Sequence, residues 1–193
     1  PISLFNDGNF KMYWQPQERT RFEWSIYSGS DVLQYRVDAN VPEWGFTYNG
    51  GDTVQVGNLG TSLRLQQQWT PKYRSEWQFA RSRLRSEYDY AGSLDTTVYP
   101  QSILYQENRL KETVFRFDNS WQLNTRQDLR FGLQAVQTDN YFLNRSTNLL
   151  DTTASDQWKI ELPSNQSAFY GSWRLHDGER WSVETGLRRV TFN

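Results

Sequence analysis

Four tryptophans each close an alternating run just before a short turn-forming segment. Trp14 precedes Gln15-Pro16-Gln17-Glu18, Trp69 precedes Thr70-Pro71-Lys72, Trp121 precedes Asn124-Thr125-Arg126, and Trp173 precedes His176-Asp177-Gly178-Glu179. The last three are evenly spaced, since 121 − 69 and 173 − 121 both give 52. Eight residues after the four tryptophans come Phe22, Trp77, Leu129 and Trp181. A tight hairpin sets such partners opposite one another on one face of the sheet. Over four hairpins this predicts a single band of rings at one end: Trp14, Phe22, Trp69, Trp77, Trp121, Trp173 and Trp181. An indole ring settles at lipid headgroup level, with its apolar body dry and its N–H wet. A lipid-facing aromatic girdle on a membrane β-barrel has that form.

The rest of the chain fits strands better than helices, because apolar residues recur with period two. Eight strands are predicted, at 8–15, 20–28, 59–69, 73–88, 112–123, 127–141, 166–175 and 180–192. Short turns alternate with long connections at 29–58, 89–111 and 142–165, which are rich in Gly, Asn, Asp, Ser and Thr. Outer-membrane barrels alternate short periplasmic turns with longer external loops. The expected fold class is therefore all-β: an antiparallel meander of a transmembrane outer-membrane β-barrel, with residues 1–193 as one barrel segment.

Steps of two from the tryptophans trace one mostly apolar face, through Phe10, Met12, Leu63, Leu65, Phe115, Phe117, Leu133, Phe169 and Leu187. The alternate residues are polar. Arg64, Gln66, Arg116, Asp118, Arg130, Gln134, Glu184 and Arg188 are the expected lumen-lining set. Gln67 and Asn119 break the apolar face, as do Arg81 and Arg83. Either a β-bulge near Ala80 shifts the register, or these arginines lie near the far headgroups.

Composition narrows the alternatives. With 21 Lys plus Arg against 22 Asp plus Glu, the net charge of −1 gives no basic excess, so no nucleic-acid partner is expected. Aromatics make up 16% of the chain, yet hydrophobic residues total only 36% and mean hydropathy is −0.84. No run of about 20 apolar residues exists for a membrane helix. A membrane barrel needs apolar side chains on only one face of each strand, so it is hydrophilic on average. A soluble carbohydrate-binding β protein also alternates but turns its apolar face inward. A small closed eight-stranded barrel, serving as anchor or adhesin, remains a second alternative.

Chemistry-bearing motifs are scarce. The chain has no cysteine and one histidine, His176, placed beside Asp177-Gly178 in a short turn. It contains no phosphate loop, dinucleotide fingerprint or nucleophile elbow. No enzyme activity, cofactor, metal site or catalytic residue is expected. Asp89, Asp95, Asp151 and Asp156 fall in the expected external loops, where oxygen ligands suit Ca²⁺ but solvated carboxylates are the commoner outcome. Tyr88, Tyr90, Tyr99 and Tyr105 are placed to stack on a ligand or, more readily, to join an external girdle. The sequons Asn144-Arg145-Ser146 and Asn165-Gln166-Ser167 read as chance.

Four stretches carry a family resemblance: GNFKMYWQPQERTRFEWSIYSG, NLGTSLRLQQQWTPKYRSEWQFARSRLRSEYDY, ETVFRFDNSWQLNTRQDLRFGLQAV and SAFYGSWRLHDGERWSVETGLRRV. In order and spacing they resemble the middle barrel strands of a TonB-dependent receptor of the Bacteroidota-like kind. The resemblance implies a barrel of about 22 strands with an N-terminal plug. It also implies the bacterial outer membrane as location, and uptake of a small-molecule or oligosaccharide ligand driven by the TonB complex through that plug. Neither plug nor TonB box is visible, and Pro1 is followed by no signal segment. The segment therefore reads as an internal piece of a longer receptor.

Overall fold

The computed structural model describes residues 1–41, 46–94, 102–148, 155–178 and 180–193. Eight strands form one sheet: β1 (Ile2–Gln17), β2 (Thr20–Val41), β3 (Phe46–Thr70), β4 (Tyr73–Leu94), β5 (Ser102–Asn124), β6 (Gln127–Asn148), β7 (Ser155–His176) and β8 (Ser182–Phe192). Each pairs antiparallel with its sequence neighbour, in the order β1 to β8. The expected meander is borne out. Among the described residues nothing pairs β1 with β8, so the sheet is open and does not form a closed eight-stranded barrel.

The long connections are where expectation fails. Residues 29–41 and 46–58 are strand, as are 89–94, 102–111, 142–148 and 155–165. Their Gly, Asn, Ser and Thr content suggested loops, but a neighbour on each side completes the ladder from β2 to β7. The strands β2 to β7 therefore run 22 to 25 residues. A tilted strand crosses a bilayer in about 9–11. Each is roughly twice the length a membrane requires.

The bulge expected near Ala80 is absent. Ser62, Ala80 and Val114 pair in an unbroken register across β3, β4 and β5. Arg81 and Arg83 thus stay on the face of Trp77. Register breaks occur instead beside the turns, between Trp14 and Gln17, Gln68 and Thr70, and Gln122 and Asn124.

Paired residues form a continuous row from Trp14 through Phe22, Leu65, Trp77, Phe117 and Leu133 to Phe169. Along this row the distance to the next turn grows: Glu18 lies four residues past Trp14, Pro71 six past Leu65, and Thr125 eight past Phe117. If the turns share one level, the strands must lean against that level. Such a steady stagger is the shear that lets a sheet roll into a barrel.

Little of the sheet is buried. Leu143 and Ala168 are the buried apolar residues among those described, while Phe5, Leu63, Phe169 and Leu187 are exposed at 75%, 55%, 65% and 87%. A soluble layered domain covers one face of its sheet with a second layer. Among the described residues, no second layer covers either face.

Candidate functional site

Every residue of the expected lumen set lies on one face, called here the arginine face, because the register keeps it in phase with Arg64. Arg64 pairs with Glu76 at 3.2 Å, and Gln66 donates to Glu76 at 2.8 Å. Arg116 pairs with Asp118 at 2.6 Å and donates from Nε to the Tyr170 hydroxyl at 3.2 Å. The Tyr170 hydroxyl in turn donates to Asp118. Arg188 donates to Gln134 at 3.2 Å and stands over the Tyr170 ring at 5.7 Å. Arg64, Arg116, Asp118, Arg130, Glu184 and Arg188 together line a cavity of about 700 Å³. Cations and carboxylates there form a charged, water-accessible wall.

Tyr170 was missed by the sequence reading, yet it is the centre of that network. Its ring lies flat because Gly132 sits directly opposite on β6. A Cβ added at Gly132 would meet the Phe117 carbonyl at 2.5 Å and the Tyr170 hydroxyl at 2.7 Å. Three further tyrosines cover glycines on this face: Tyr27 over Gly29, Tyr48 over Gly50 and Tyr90 over Gly92. The spacing Tyr-x-Gly of these three is a signal available in sequence, since aromatic rings shield strand glycines, but Tyr170 lacks it because its glycine is on the neighbouring strand. Gly132→Ala is expected to destabilise by about 1–3 kcal/mol, because a backbone oxygen cannot step aside. Gly8→Ala, with nothing within 4 Å, should be neutral. Urea midpoints of the two variants provide the check.

The opposite, tryptophan face carries the rings in three groups. Trp14 and Trp121 pair with Phe22 and Leu129 as expected, but Trp77 pairs with Leu65 and Trp173 with Thr185, because the turns there set another register. Trp14 stacks on Phe22 at 5.2 Å, Trp77 stacks on Phe117 at 5.2 Å, Trp69 meets Trp77 edge-on at 6.4 Å, and Tyr73 meets Trp121 at 6.2 Å. Trp173 shares this face through its pairing with Leu129, the partner of Trp121. Trp181 immediately precedes β8, half exposed at 49%.

Gln67 and Asn119, the two polar exceptions, belong to a polar row under this belt. Thr20 donates to Gln67 at 2.8 Å. Ser75 and Tyr73 both donate to Asn119 Oδ1 at 2.7 Å, and Trp69 Nε1 donates to Ser75 Oγ at 3.0 Å. Ser75 and Asn119 are each only 2% exposed. These bonds satisfy the hydroxyls and Asn119 Oδ1, which lowers the cost of burying them, while the buried Asn119 Nδ2 has no hydrogen-bond partner among the described residues.

Farther from the turns the two faces exchange chemistry. Beyond Arg81 the tryptophan face carries Arg83, Lys111, Arg85, Arg109, Glu87, Glu107 and Glu161. The arginine face carries Leu84, Leu110, Val56, Phe142, Ile160, Leu33, Val54 and Trp158 over the same rows. Glu107, nearly buried, lies 3.0 Å from Arg85 and 3.2 Å from Arg109. The Arg109 guanidinium stands 3.9 Å over the Tyr141 ring. Tyr105 donates to Glu87, and its phenol is pushed up to about 12, by burial first and by that hydrogen bond second.

The expected ligand rings do not share a face. Tyr88 and Tyr90 sit on β4 with the arginine face, while Tyr105 on β5 joins the other. All three are strand residues rather than loop residues. Tyr48 and Tyr90 join hydroxyl to hydroxyl at 3.0 Å, which raises the Tyr48 pKa. Asp89 and Asp156 are likewise on strands, and Asp95, Asp151 and Tyr99 lie outside the described residues. Among the described residues no three His, Asp or Glu side chains gather as metal ligands. His176 is the last residue of β7, not a turn residue, and its Nε2 lies 3.4 Å from Asp128.

No protein-family model matches the sequence, and no curated protein sequence matches it. Solved structures do match its shape. The ferric yersiniabactin uptake receptor FyuA from Yersinia pestis has a TM-score of 0.71 and 11% identity, over 95% of this chain and 27% of that one. The copper transporter OprC has a TM-score of 0.68 and 14% identity, over 96% of this chain and 28% of that one. BauA, the ferric preacinetobactin receptor from Acinetobacter baumannii, has a TM-score of 0.61 and 11% identity, over 98% and 35%. The chain thus spans about a quarter to a third of these structures. At such identities the likeness is one of fold: an all-β antiparallel meander matching part of an outer-membrane β-barrel.

Proposed function

We propose that this chain is part of the wall of a TonB-dependent receptor barrel in the bacterial outer membrane, taking up a small ligand such as a siderophore or an oligosaccharide. The tryptophan face meets lipid, and the arginine face lines a wet lumen. A plug domain elsewhere in the receptor couples the barrel to the TonB complex. The observation that carries this reading is one open, staggered sheet whose two faces differ over the same rows. One face is exposed and apolar, with Ser75, Tyr73 and Asn119 hydrogen-bonded to one another; the other is ion-paired and polar. Lipid tolerates the first and excludes the second.

The test uses the full-length receptor in outer-membrane vesicles, with single cysteines at Leu63 and at Arg64. A membrane-impermeant maleimide should label position 64 and spare position 63. Equal labelling removes the orientation. Uptake of a panel of radiolabelled ferric siderophores and oligosaccharides, in cells with and without TonB, then tests transport. Loss of accumulation of one of them without TonB is the expected result, and accumulation of none in either strain overturns the assignment.

A further inference from the structure

We propose that Arg81, Arg83 and Lys111 form a binding site for the phosphate of an outer-leaflet lipid headgroup, of the phosphorylated glucosamine kind. The proposal rests on the orientation argued above. All three residues lie on the tryptophan face, and all three are exposed. Arg83 and Lys111 are paired directly across β4 and β5, and Arg81 is the next residue on that face of β4.

Their height on the strands points to headgroups. From Tyr73 to Arg83 is eleven residues, and from Lys111 to Trp121 is also eleven. Tyr73 and Trp121 belong to the ring belt at the turn end. A tilted strand crosses the hydrocarbon in about 9–11 residues. The cations therefore stand where the apolar strip ends on the side away from the short turns, which face the periplasm in such barrels.

The neighbouring row shows what is missing. Arg85 and Arg109 also face one another across β4 and β5, and like charges directly opposite are destabilising. There Glu107 lies 3.0 and 3.2 Å from the two guanidinium groups and Glu87 also pairs with Arg85, so two carboxylates balance the two cations. In the row below, Arg83 and Lys111 have no ion pair within 4.0 Å among the described residues. Asp139 stands opposite Lys111 on β6 but does not reach that distance. Carboxylates reach Arg85 and Arg109, but among the described residues none comes within 4.0 Å of a cation in the row at the lipid boundary. An anion from outside, at headgroup level, completes it, and three cations of this geometry suit a phosphate monoester.

The experiment uses the full-length receptor folded into phosphatidylcholine vesicles that contain either bisphosphorylated lipid A or lipid A stripped of its phosphates. Bound lipid is counted by native mass spectrometry after gentle extraction. The wild type should retain phosphorylated lipid A over the stripped form by roughly tenfold or more. The triple variant R81Q/R83Q/K111Q should lose that preference, and R81K/R83K should keep most of it. Heat-modifiable migration on gels verifies that each variant is folded. A spin label at Phe79 separates the two layers of the argument. If lipid-soluble oxygen reaches the label and the triple variant still retains phosphorylated lipid A, the headgroup site is overturned and the orientation stands. If a water-soluble nickel reagent reaches it instead, both fall together. Inorganic phosphate binding the solubilised receptor as tightly as lipid A would make this a site for soluble anions and overturn the lipid assignment.

Discussion

Leu133→Arg in the full-length receptor is expected to destabilise the lipid-inserted state by about 2–4 kcal/mol, the cost of a cation facing lipid near mid-depth. Gln134→Arg, one residue away, should cost under about 1 kcal/mol. The difference is one of face. Leu133 sits in the row that runs from Trp14 to Phe169, between Phe117 and Phe169. Gln134 sits between Arg116 and Ala168 and accepts a hydrogen bond from Arg188. A new arginine at 134 meets like charge, but it meets water as well. Folding titrations in urea, in the presence of phosphatidylcholine vesicles, give both values. Equal costs would remove the lipid-facing assignment of the tryptophan face.

Asn119→Leu should also have a large effect, for a different reason. The side chain accepts from Ser75 and Tyr73 at the same oxygen. Removing it strands a buried hydroxyl, at about 1–3 kcal/mol for each donor left without a partner. Ser75→Ala in the same background should recover part of that loss, since the stranded donor is then gone. The double-mutant cycle measures the coupling directly. Additive costs would mean that the row is not a network, and the account of Asn119 as a tolerated exception would then fail.

Much of the architecture was legible from residue order. The Trp-before-turn repeat located three of the four hairpins to within a residue or two. The period-two alternation assigned all eight lumen-set residues to one face, where the register holds them. What stayed hidden is the outer part of β2 to β7. The alternation continues there but with its phase reversed, so that Leu84 and Val54 fall where Arg64 and Gln66 would lie in phase. A reading that anchors phase on the ring belt meets Arg81 and Arg83 as violations, and the predicted strands stop short of the long connections. The abundance of Gly, Asn and Ser reinforced that error, because their turn preference is weaker than two flanking ladders. Tyr170 was hidden for another reason: its partners Arg116 and Asp118 are 54 and 52 residues away, and only the sheet brings them together.

In the proposed receptor, the tyrosines that cover glycines have a consequence for anything moving along the arginine face. A ring standing upright on a strand narrows the passage by its full length, whereas a ring lying on a glycine narrows it only by its thickness. Tyr27, Tyr48, Tyr90 and Tyr170 each cover a glycine, and the hydroxyl bond between Tyr48 and Tyr90 pins two of them together. The glycines therefore act as recesses, and the wall is smoother than its count of bulky residues implies. Filling one recess with a methyl group would lift a ring into the path, altering clearance and friction at that depth even if no ligand contact changed.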